Sequence, residues 1–452
     1  MGMDARQNGI SMMAADGEGS QMSRMRADAR AIFEAAVRAV LPDVFLPPVL
    51  PLPKPDQNVV VFAAGKAAGS MAAAAEAFYL QAGLDRRRLS GLSIARHGYA
   101  RPLICLDSRE AGHPVPDQAG FDATAEMMAR AKAVQPEDLV VFLLSGGASA
   151  NLVAPAGQIT LAEKQGFTRS LLKAGVPIDG INTIRKHISR IKGGRLAAMM
   201  PGAEIVTLAL SDVPGDDISL IGSGPTIPDP STLDDARAVI RRFGLEPPAS
   251  IAAVLADPAS ESPKPGSPVF ARSRALVAAR PADAWHAAVQ AAGALGYNVV
   301  SLGAELEGEA REVAAIHAER VLAERGSAPI AWLSGGELTV TIRGEGRGGP
   351  NQEYALALAE QLGGCRDVAA LAADTDGTDG GVGQPDDPAG AFIDETTLAR
   401  AAACGANAAR HLANNDSTPF FRQIGDLFTP GPTFTNANDL RIILKQVSGG
   451  TT

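Results

Sequence analysis

The sequence predicts an α/β protein of two layered domains: a Rossmann-like, mostly parallel sheet first, then a smaller mixed α/β unit. Three observations carry this. A chain of 452 residues exceeds what one hydrophobic core usually organises. Short, continuous apolar runs are each stopped by a glycine turn and followed by a stretch of helical composition, the pattern of parallel strands covered on both faces. Between Arg241 and Arg272, the prolines Pro247, Pro248, Pro258, Pro263, Pro265 and Pro268 break that pattern and mark a linker. The expected division is therefore a loose tail over 1–23, a first domain over 24–265 and a second over 266–452.

From Arg24 onward, Ile32, Phe33, Ala36, Val37 and Val40 recur at helical spacing until Pro42 ends the run. The run Asn58–Ala64 reads as a strand closed by Gly65, and the Ala-rich stretch from Lys66 to Leu80 as the helix behind it. The same sequence of strand, glycine turn and helix recurs at Asp138–Leu144 with Ser145-Gly-Gly147 and a helix over 160–173, and Glu204–Leu210 is followed by the turn Ser211–Gly215. Past the proline-rich stretch, strands are expected at 274–278, 297–302, 330–333, 338–342 and 368–372. Helices are expected at 281–294, 305–325 and 351–362.

Composition excludes several classes of function. The net charge is −9 and no block of like charge occurs, which disfavours nucleic-acid and membrane-surface binding. No apolar run reaches the length of a membrane span. The cysteines Cys105, Cys365 and Cys404 are odd in number and widely spaced, which argues against a disulfide framework or a structural zinc and suits a reducing cytoplasm.

Glycine-rich turns fall at several strand ends, where ligands sit in parallel sheets. They include Gly65-Lys66, Ser145-Gly146-Gly147-Ala148-Ser149, Ser211-Asp212, Ser334-Gly335-Gly336, Gly344–Gly349 and Asp374–Gly381. Together they point to a phosphate-handling site. A P-loop is excluded, because Val60 and Ala67 stand where that motif needs Gly and Ser or Thr. Gly344-x-Gly346-x-x-Gly349 does match the dinucleotide fingerprint, with Asp367 or Asp374 beyond it. A hydroxypyruvate reductase using NAD(P)H through this turn is therefore the alternative reading. The alternating strand before it and Arg347 within it count against that reading. A non-catalytic phospho-sugar sensor using the Ser145 and Ser334 turns is a third.

With these motifs set in order, the chain resembles the class II glycerate kinases, whose C-terminal part is called the MOFRL domain. The resemblance runs from about Arg24 to Leu444. It is carried by Ala64-Gly-Lys-Ala67, Glu110–Asp117, Leu144–Ala150, Asn182–His187, Ser189–Arg195, Ser211–Asp216 and Gly222–Thr226. Gly346–Glu353, Thr375–Gly377, Asn415–Ser417, Gly431–Thr433, Thr435-Asn436 and Asn438–Leu440 continue it. The resemblance implies ATP- and Mg²⁺-dependent phosphorylation of D-glycerate at its 2-hydroxyl, and an active site in the cleft between two α/β domains. It also implies that Lys66 and Arg347 face that cleft, with Asp212 a further catalytic candidate. The partners it implies are small molecules, and the chain itself is expected as a monomer or homodimer.

The residues support these roles on their own chemistry. Phosphoryl transfer asks mainly for positioning and charge neutralisation. Lys66 at a helix start conflicts with the helix dipole unless an anion lies between them. Arg347 stands among glycines, where a guanidinium can fork onto an oxyanion. Arg185, Lys186, His187, Arg190, Lys192 and Arg195 form the largest basic cluster, and helical spacing would put Arg185 and Lys192 on one face. Asp212, or Asp374 with Asp376, could hold Mg²⁺, and Asp212 is the first choice of general base. Asn182, Asn351 and Glu353 are candidate polar contacts to substrate or nucleotide, beside the backbone of Gly65, Ser145, Gly146, Gly147, Ser149 and Gly335.

Overall fold

A computed structural model describes residues 7–381 and 386–446. The chain forms two compact units. One comprises Leu41–Arg280 with the tripeptide Phe434–Asn436; the other comprises the stretch through Val40, Pro281–Thr433 and the chain from Ala437.

The first unit is built on β1 (Val59–Ala64), β2 (Leu89–Arg96), β3 (Asp107–Ala111), β4 (Leu139–Ser145), β5 (Glu204–Leu210) and β6 (Ser273–Ala279). Their order is β3-β2-β1-β4-β5-β6, and every pairing is parallel. Sequence explains the centre: β1 is apolar throughout and β4 is apolar up to its last residue, Ser145, and Phe62 pairs in register with Leu92 and Phe142, all of them buried. Each such side chain taken out of water contributes about 2–3 kcal/mol. The helices Ala68–Gln81 and Gln118–Ala133 cover this sheet. Four more helices, Leu161–Lys173, Ile178–His187, Leu233–Arg242 and Ala249–Ala256, share their own core around Phe167, Leu171, Ile184, Ile251 and Leu255. The first of the four starts on a full capping box, Thr160 with Glu163, which fixes its opening turn.

The second unit holds β7 (Asn298–Gly303), β8 (Gly308–Glu309), β9 (Ile330–Gly336), β10 (Leu338–Thr339), β11 (Val368–Asp374), β12 (Gly390–Asp394), β13 (Leu427–Phe428) and β14 (Asp439–Lys445). The main sheet runs β13-β12-β11-β14-β9-β7; β7 and β9 are parallel and the remaining pairs antiparallel, while β8 and β10 pair separately. Trp332, Ala370 and Ile443 pack on one face against helices Ala310–Ala323 and Pro350–Leu362. The alternate residues Leu333, Leu371 and Ile442 point to the other face. Helices Gln7–Ala39 and Pro281–Ala294 pack against each other and against strands of this sheet.

Several expectations are corrected. Helix begins at Gln7, so 7–23 is no loose tail; residues 1–6 lie outside the described residues. This first helix belongs with the second unit, because Arg26 pairs with Asp394 at 2.6 Å and Asp426 at 2.8 Å, and the Phe33 ring meets Phe428 at 5.1 Å. The division after the first sheet falls at 280/281 rather than 265/266, since β6 is that sheet's sixth strand. The proline-rich stretch is no free linker: it carries the helix Ala249–Ala256, and Ile251 and Leu255 are buried. The strand expected over 338–342 is only the two-residue β10.

Candidate active site

The strand order of the first sheet reverses between β1 and β4, and at such a point a crevice opens beyond the carboxyl ends of the strands. Two of the glycine turns lie there. Gly65 closes β1 at φ +119°, and a Cβ on it would collide with Ser145 and Gly146. The Lys66 amide donates to the Gly146 carbonyl at 2.8 Å, and the Ala67 amide to Ser145 Oγ at 3.0 Å. These bonds lock the turns behind β1 and β4 edge to edge. They also set the start of the helix Ala68–Gln81, whose N-cap, Ala67, has no side chain to satisfy the first-turn amides. A helix start of this kind attracts anions. Gly147, at φ +79°, would place a Cβ 2.8 Å from the His113 ring and 3.1 Å from Lys66 Cγ, so its lack of a side chain lets those two groups approach over the turn.

Asp212 follows β5. Its carboxylate lies against Gly146, in the space a Cβ would take, and Asn436 Nδ2 donates to Asp212 Oδ2 at 3.0 Å. Asn436 reaches this place on the tripeptide Phe434–Asn436. The Phe434 ring sits under the Arg101 guanidinium at 4.4 Å and edge-on to Tyr99 at 5.9 Å, and Ser70 Oγ donates to the Phe434 carbonyl. Beyond the β4 turn, Ser149 Oγ lies 3.0 Å from Ser223 Oγ, which donates to Asn182 Oδ1 at 3.3 Å. Lys192 Nζ donates to Ser149 Oγ at 3.2 Å and to the Gly222 carbonyl at 3.1 Å.

The basic cluster divides in two. Lys186 pairs with buried Asp229 at 3.2 Å, His187 with Glu261 at 3.0 Å, and the Arg195 guanidinium donates to the Ser260 and Glu261 carbonyls. These three hold the helices together. Arg185 and Lys192 form no ion pair among the described residues. They do not share a helix face as expected, because the helix ends at His187, yet Arg185 is among the charges that act on Lys192. Burial first, then the charges of Lys164 and Arg185, hold the Lys192 ammonium well below its ordinary pKa.

In this unit the structure therefore brings Gly65, Lys66, Ser145, Gly146, Gly147, Ser149, Asn182, Arg185, Lys192 and Asp212 into one connected set of turns and neighbouring helix ends. In the second unit, candidates fare differently. Gly335 lies inside β9, paired with Leu440, and its carbonyl accepts from Arg441; it is part of the sheet rather than a phosphate turn. Asn351 donates through its amide groups to Asp379 at 2.9 and 3.1 Å and to Asp439 at 2.7 Å. Glu353 is buried against Arg311 at 2.6 Å and accepts from Asn415. Both are buried polar groups with partners inside their own unit. The Asp374 and Asp376 carboxylates accept backbone amides of their own turn at 2.8 Å.

Arg347 is exposed on a loop held by its backbone: its amide donates to Asp416 Oδ1 at 3.1 Å and its carbonyl accepts from Thr418 at 2.9 Å. Its guanidinium makes no hydrogen bond or ion pair among the described residues. The glycines around it have another purpose than a dinucleotide. A Cβ on Gly344 or Gly346 would sit 2.5 Å from the Asn414 backbone, one on Gly348 would strike Ser417, and one on Gly349 would strike Asp379. The spacing that mimics a dinucleotide fingerprint thus comes from close packing of a loop on its neighbours, with only a two-residue strand before it.

A family model described as a domain of unknown function, DUF4147, matches residues 28–256, and a MOFRL family model matches 330–439. The D-glycerate 2-kinase of Thermotoga maritima is 37% identical over 417 residues, covering 91% of this chain and 96% of that protein. The crystal structure of glycerate kinase from Thermotoga maritima superposes with a TM-score of 0.80 at 34% identity, covering 94% of this chain and 100% of that one. The chain belongs to the class II glycerate kinase family. A relative from Agrobacterium vitis, 44% identical over 92% of this chain and 93% of its own, is named provisionally as a hydroxypyruvate reductase. That name meets no dinucleotide turn in this family member, since the Gly344–Gly349 loop is packed shut against 414–417.

Three neighbours of these turns and helix ends are not among the candidate residues. Asn436 was visible only as part of the Thr435-Asn436 motif, with nothing to tie it to Asp212. His113 reads from sequence as a structural histidine. Lys164 carried a weak signal: one of nine lysines in the chain, one residue past the capping box, near the positive end of a helix.

Proposed function

We propose that the chain transfers the γ-phosphate of ATP to the 2-hydroxyl of D-glycerate, giving 2-phosphoglycerate. Glycerate kinase activity follows from its family. The choice of donor, of residues and of metal is the proposal, and one observation carries it: the Gly65-Lys66 and Ser145–Gly147 turns are locked together at the order reversal of a parallel sheet, with Asp212 over Gly146.

Phosphate oxygens would be held by the helix-start amides behind Ala67 and by Lys66, since a helix N-terminus and an ammonium together neutralise a phosphate. Arg347, on its backbone-anchored loop, is the second cation proposed to meet phosphate. Asp212, steadied by Asn436, would accept the proton of the attacking 2-hydroxyl. The same carboxylate fits Mg²⁺: that ion keeps most of its shell in water and phosphate oxygens and takes one or two protein carboxylates. When bound, Mg²⁺ supplies charge neutralisation at the transferring phosphate. The free thiols Cys105, Cys365 and Cys404 support a reducing compartment such as the cytoplasm.

The test is an ADP-release assay with D-glycerate and ATP, with the product identified by phosphorus and carbon NMR, beside a pyridine-nucleotide oxidation assay with hydroxypyruvate. Phosphate on carbon 2 is expected. Nicotinamide oxidation without any need for ATP would reverse the conclusion.

A further inference from the structure

Lys164, Arg185 and Lys192 form a group of cations with no anion to balance them. Lys192 is fully buried and Lys164 is 5% exposed, while Arg185 is half-buried. Lys192 reaches hydroxyl and carbonyl oxygens only, and Lys164 Nζ is enclosed with no hydrogen-bond partner at all among the described residues. No carboxylate pairs with any of the three there. The contrast with Lys186, next to Arg185 in the chain and matched to Asp229, shows that this part of the chain does supply acids where a cation is structural. A buried ammonium without counter-charge is costly, and folds keep one where a ligand completes it.

Lys164 lies in the opening turns of the helix Leu161–Lys173, pinned by the Thr160–Glu163 box, so it adds its charge to the positive end of the helix dipole. Lys192 connects the group to Ser149, on the turn behind β4, and Ser149 to Ser223 and Asn182. Lys192 thus joins hydroxyls and an amide to the charges of Lys164 and Arg185. Such a set suits a small acid that carries hydroxyls next to its charged end.

We propose that Lys164, Arg185 and Lys192 form the subsite for the carboxylate of the acceptor, and that Lys164 is a specificity-determining residue for 2-hydroxy acids. The inference rests on the kinase reading. A carboxylate fits this place better than the nucleotide's phosphates, because two of the three cations are enclosed: a three-carbon acid can be covered completely, whereas a triphosphate with its metal would have to be stripped of water there. Anchoring the carboxylate also fixes regiochemistry. The 2-hydroxyl is on the carbon bonded to the carboxylate, so holding that group leaves the 2-hydroxyl little freedom and the 3-hydroxyl much more.

Steady-state kinetics of Lys164→Met, which keeps length and removes charge, tests this. The KM for D-glycerate should rise on the order of 30-fold or more, the loss expected when one member of a buried charged contact is removed. The KM for ATP should stay within about twofold, the uncharged analogue glyceramide should lose its disadvantage relative to glycerate, and Lys164→Arg should recover most of the affinity. A rise in the KM for ATP instead, or no change in either KM, overturns the subsite. If Lys164→Met fails to fold, calorimetry on the wild-type enzyme without nucleotide decides. D-glycerate should bind, glyceramide should not, and inorganic phosphate should compete weakly; equal binding of glycerate and glyceramide overturns the proposal. A wild-type enzyme that makes no phosphorylated glycerate would instead sink the kinase reading, which keeps the two failures apart.

Discussion

Asn436 Nδ2 donates to Asp212 Oδ2 at 3.0 Å, so a residue more than two hundred positions along the chain orients the carboxylate that lies over the Gly146 backbone. This relationship decides what Asp212 can do. An amide bonded to a carboxylate oxygen fixes the orientation of the whole group, which is what a proton acceptor or a metal ligand requires. Replacing Asp212 with Asn should lower kcat by about 10²–10⁴-fold, the usual worth of a positioned general base. Asn436→Ala should lower kcat by a smaller factor, about tenfold, leave the KM for ATP near wild type, and move the acidic limb of the kcat–pH profile. A Asn436→Ala profile that overlays the wild-type curve would show that the amide only packs.

Lys66→Ala and Arg347→Ala should each reduce turnover by at least about 10²-fold, since cations on a transferring phosphoryl group are worth several orders of magnitude, with melting temperatures close to wild type. Neither side chain is part of a hydrophobic core: Lys66 is half-buried and Arg347 exposed. Near-normal kcat in both would remove them from the mechanism, and circular dichroism melts separate that result from unfolding.

The glycines of the locked turns give a different kind of prediction. Gly146→Ala puts a methyl group where the Asp212 carboxylate and the Asn436 amide now lie. The expected result is a folded protein with Asp212 displaced and turnover reduced as in Asp212→Asn. Gly147→Ala meets both an unfavourable φ of +79° and the His113 ring at 2.8 Å, so it should lose about 1–2 kcal/mol of stability as well. Urea unfolding and kcat measured on the same preparations would distinguish the two, and equal effects in both would refute the distinction.

How far the sequence revealed these relationships depends on their range. The runs at β1, β4 and β5 are legible because a strand buried on both faces must be apolar throughout, and their boundaries agree with the structure to within a residue. β12 and β14 went unread: both are antiparallel strands, and the partners of β14, β11 and β9, are distant in sequence. Turn residues behind β1 and β4 were found from glycine chemistry alone. For Gly335, Asn351 and Glu353 glycine and polar chemistry alone does not separate the two roles, because a buried polar network in a core and a ligand contact use the same residue types. Here Asp379, Asp439 and Arg311 supply the partners, and only coordinates show it.

That network predicts a pH effect in the second unit. Burial pushes the Asp379 carboxyl up to about 7; the amides of Asn351 and Gln352 oppose this and the neighbouring Asp439 adds to it. The unfolded chain releases that proton near 3.8, so between the two values the native state holds more protons than the unfolded one. Stability from this group is therefore complete below the unfolded pKa and falls as pH rises through about 7. Urea unfolding at pH 5.5 and 7.5 should show the loss, and Asp379→Asn should flatten the difference. An unchanged difference in the variant would assign it elsewhere.

Lys164 carries the opposite sign and links stability to substrate. Burial first, then the charge of Arg185, lowers its ammonium to about 8 from 10.5; Arg185 and Lys192 are the charged groups acting on this cluster. Between these values the unfolded chain binds more protons, so the ligand-free enzyme should gain stability as pH rises from 8 towards 10.5, and Lys164→Met should lack that gain. A bound carboxylate favours the charged ammonium and reverses the trend. D-glycerate should therefore bind with uptake of a fraction of a proton at pH 8, seen as a calorimetric enthalpy that changes with the ionisation heat of the buffer. Its KM should climb above that pH, approaching tenfold per unit. A buffer-independent enthalpy together with a flat KM between pH 7 and 9 would show that Lys164 does not titrate against the substrate.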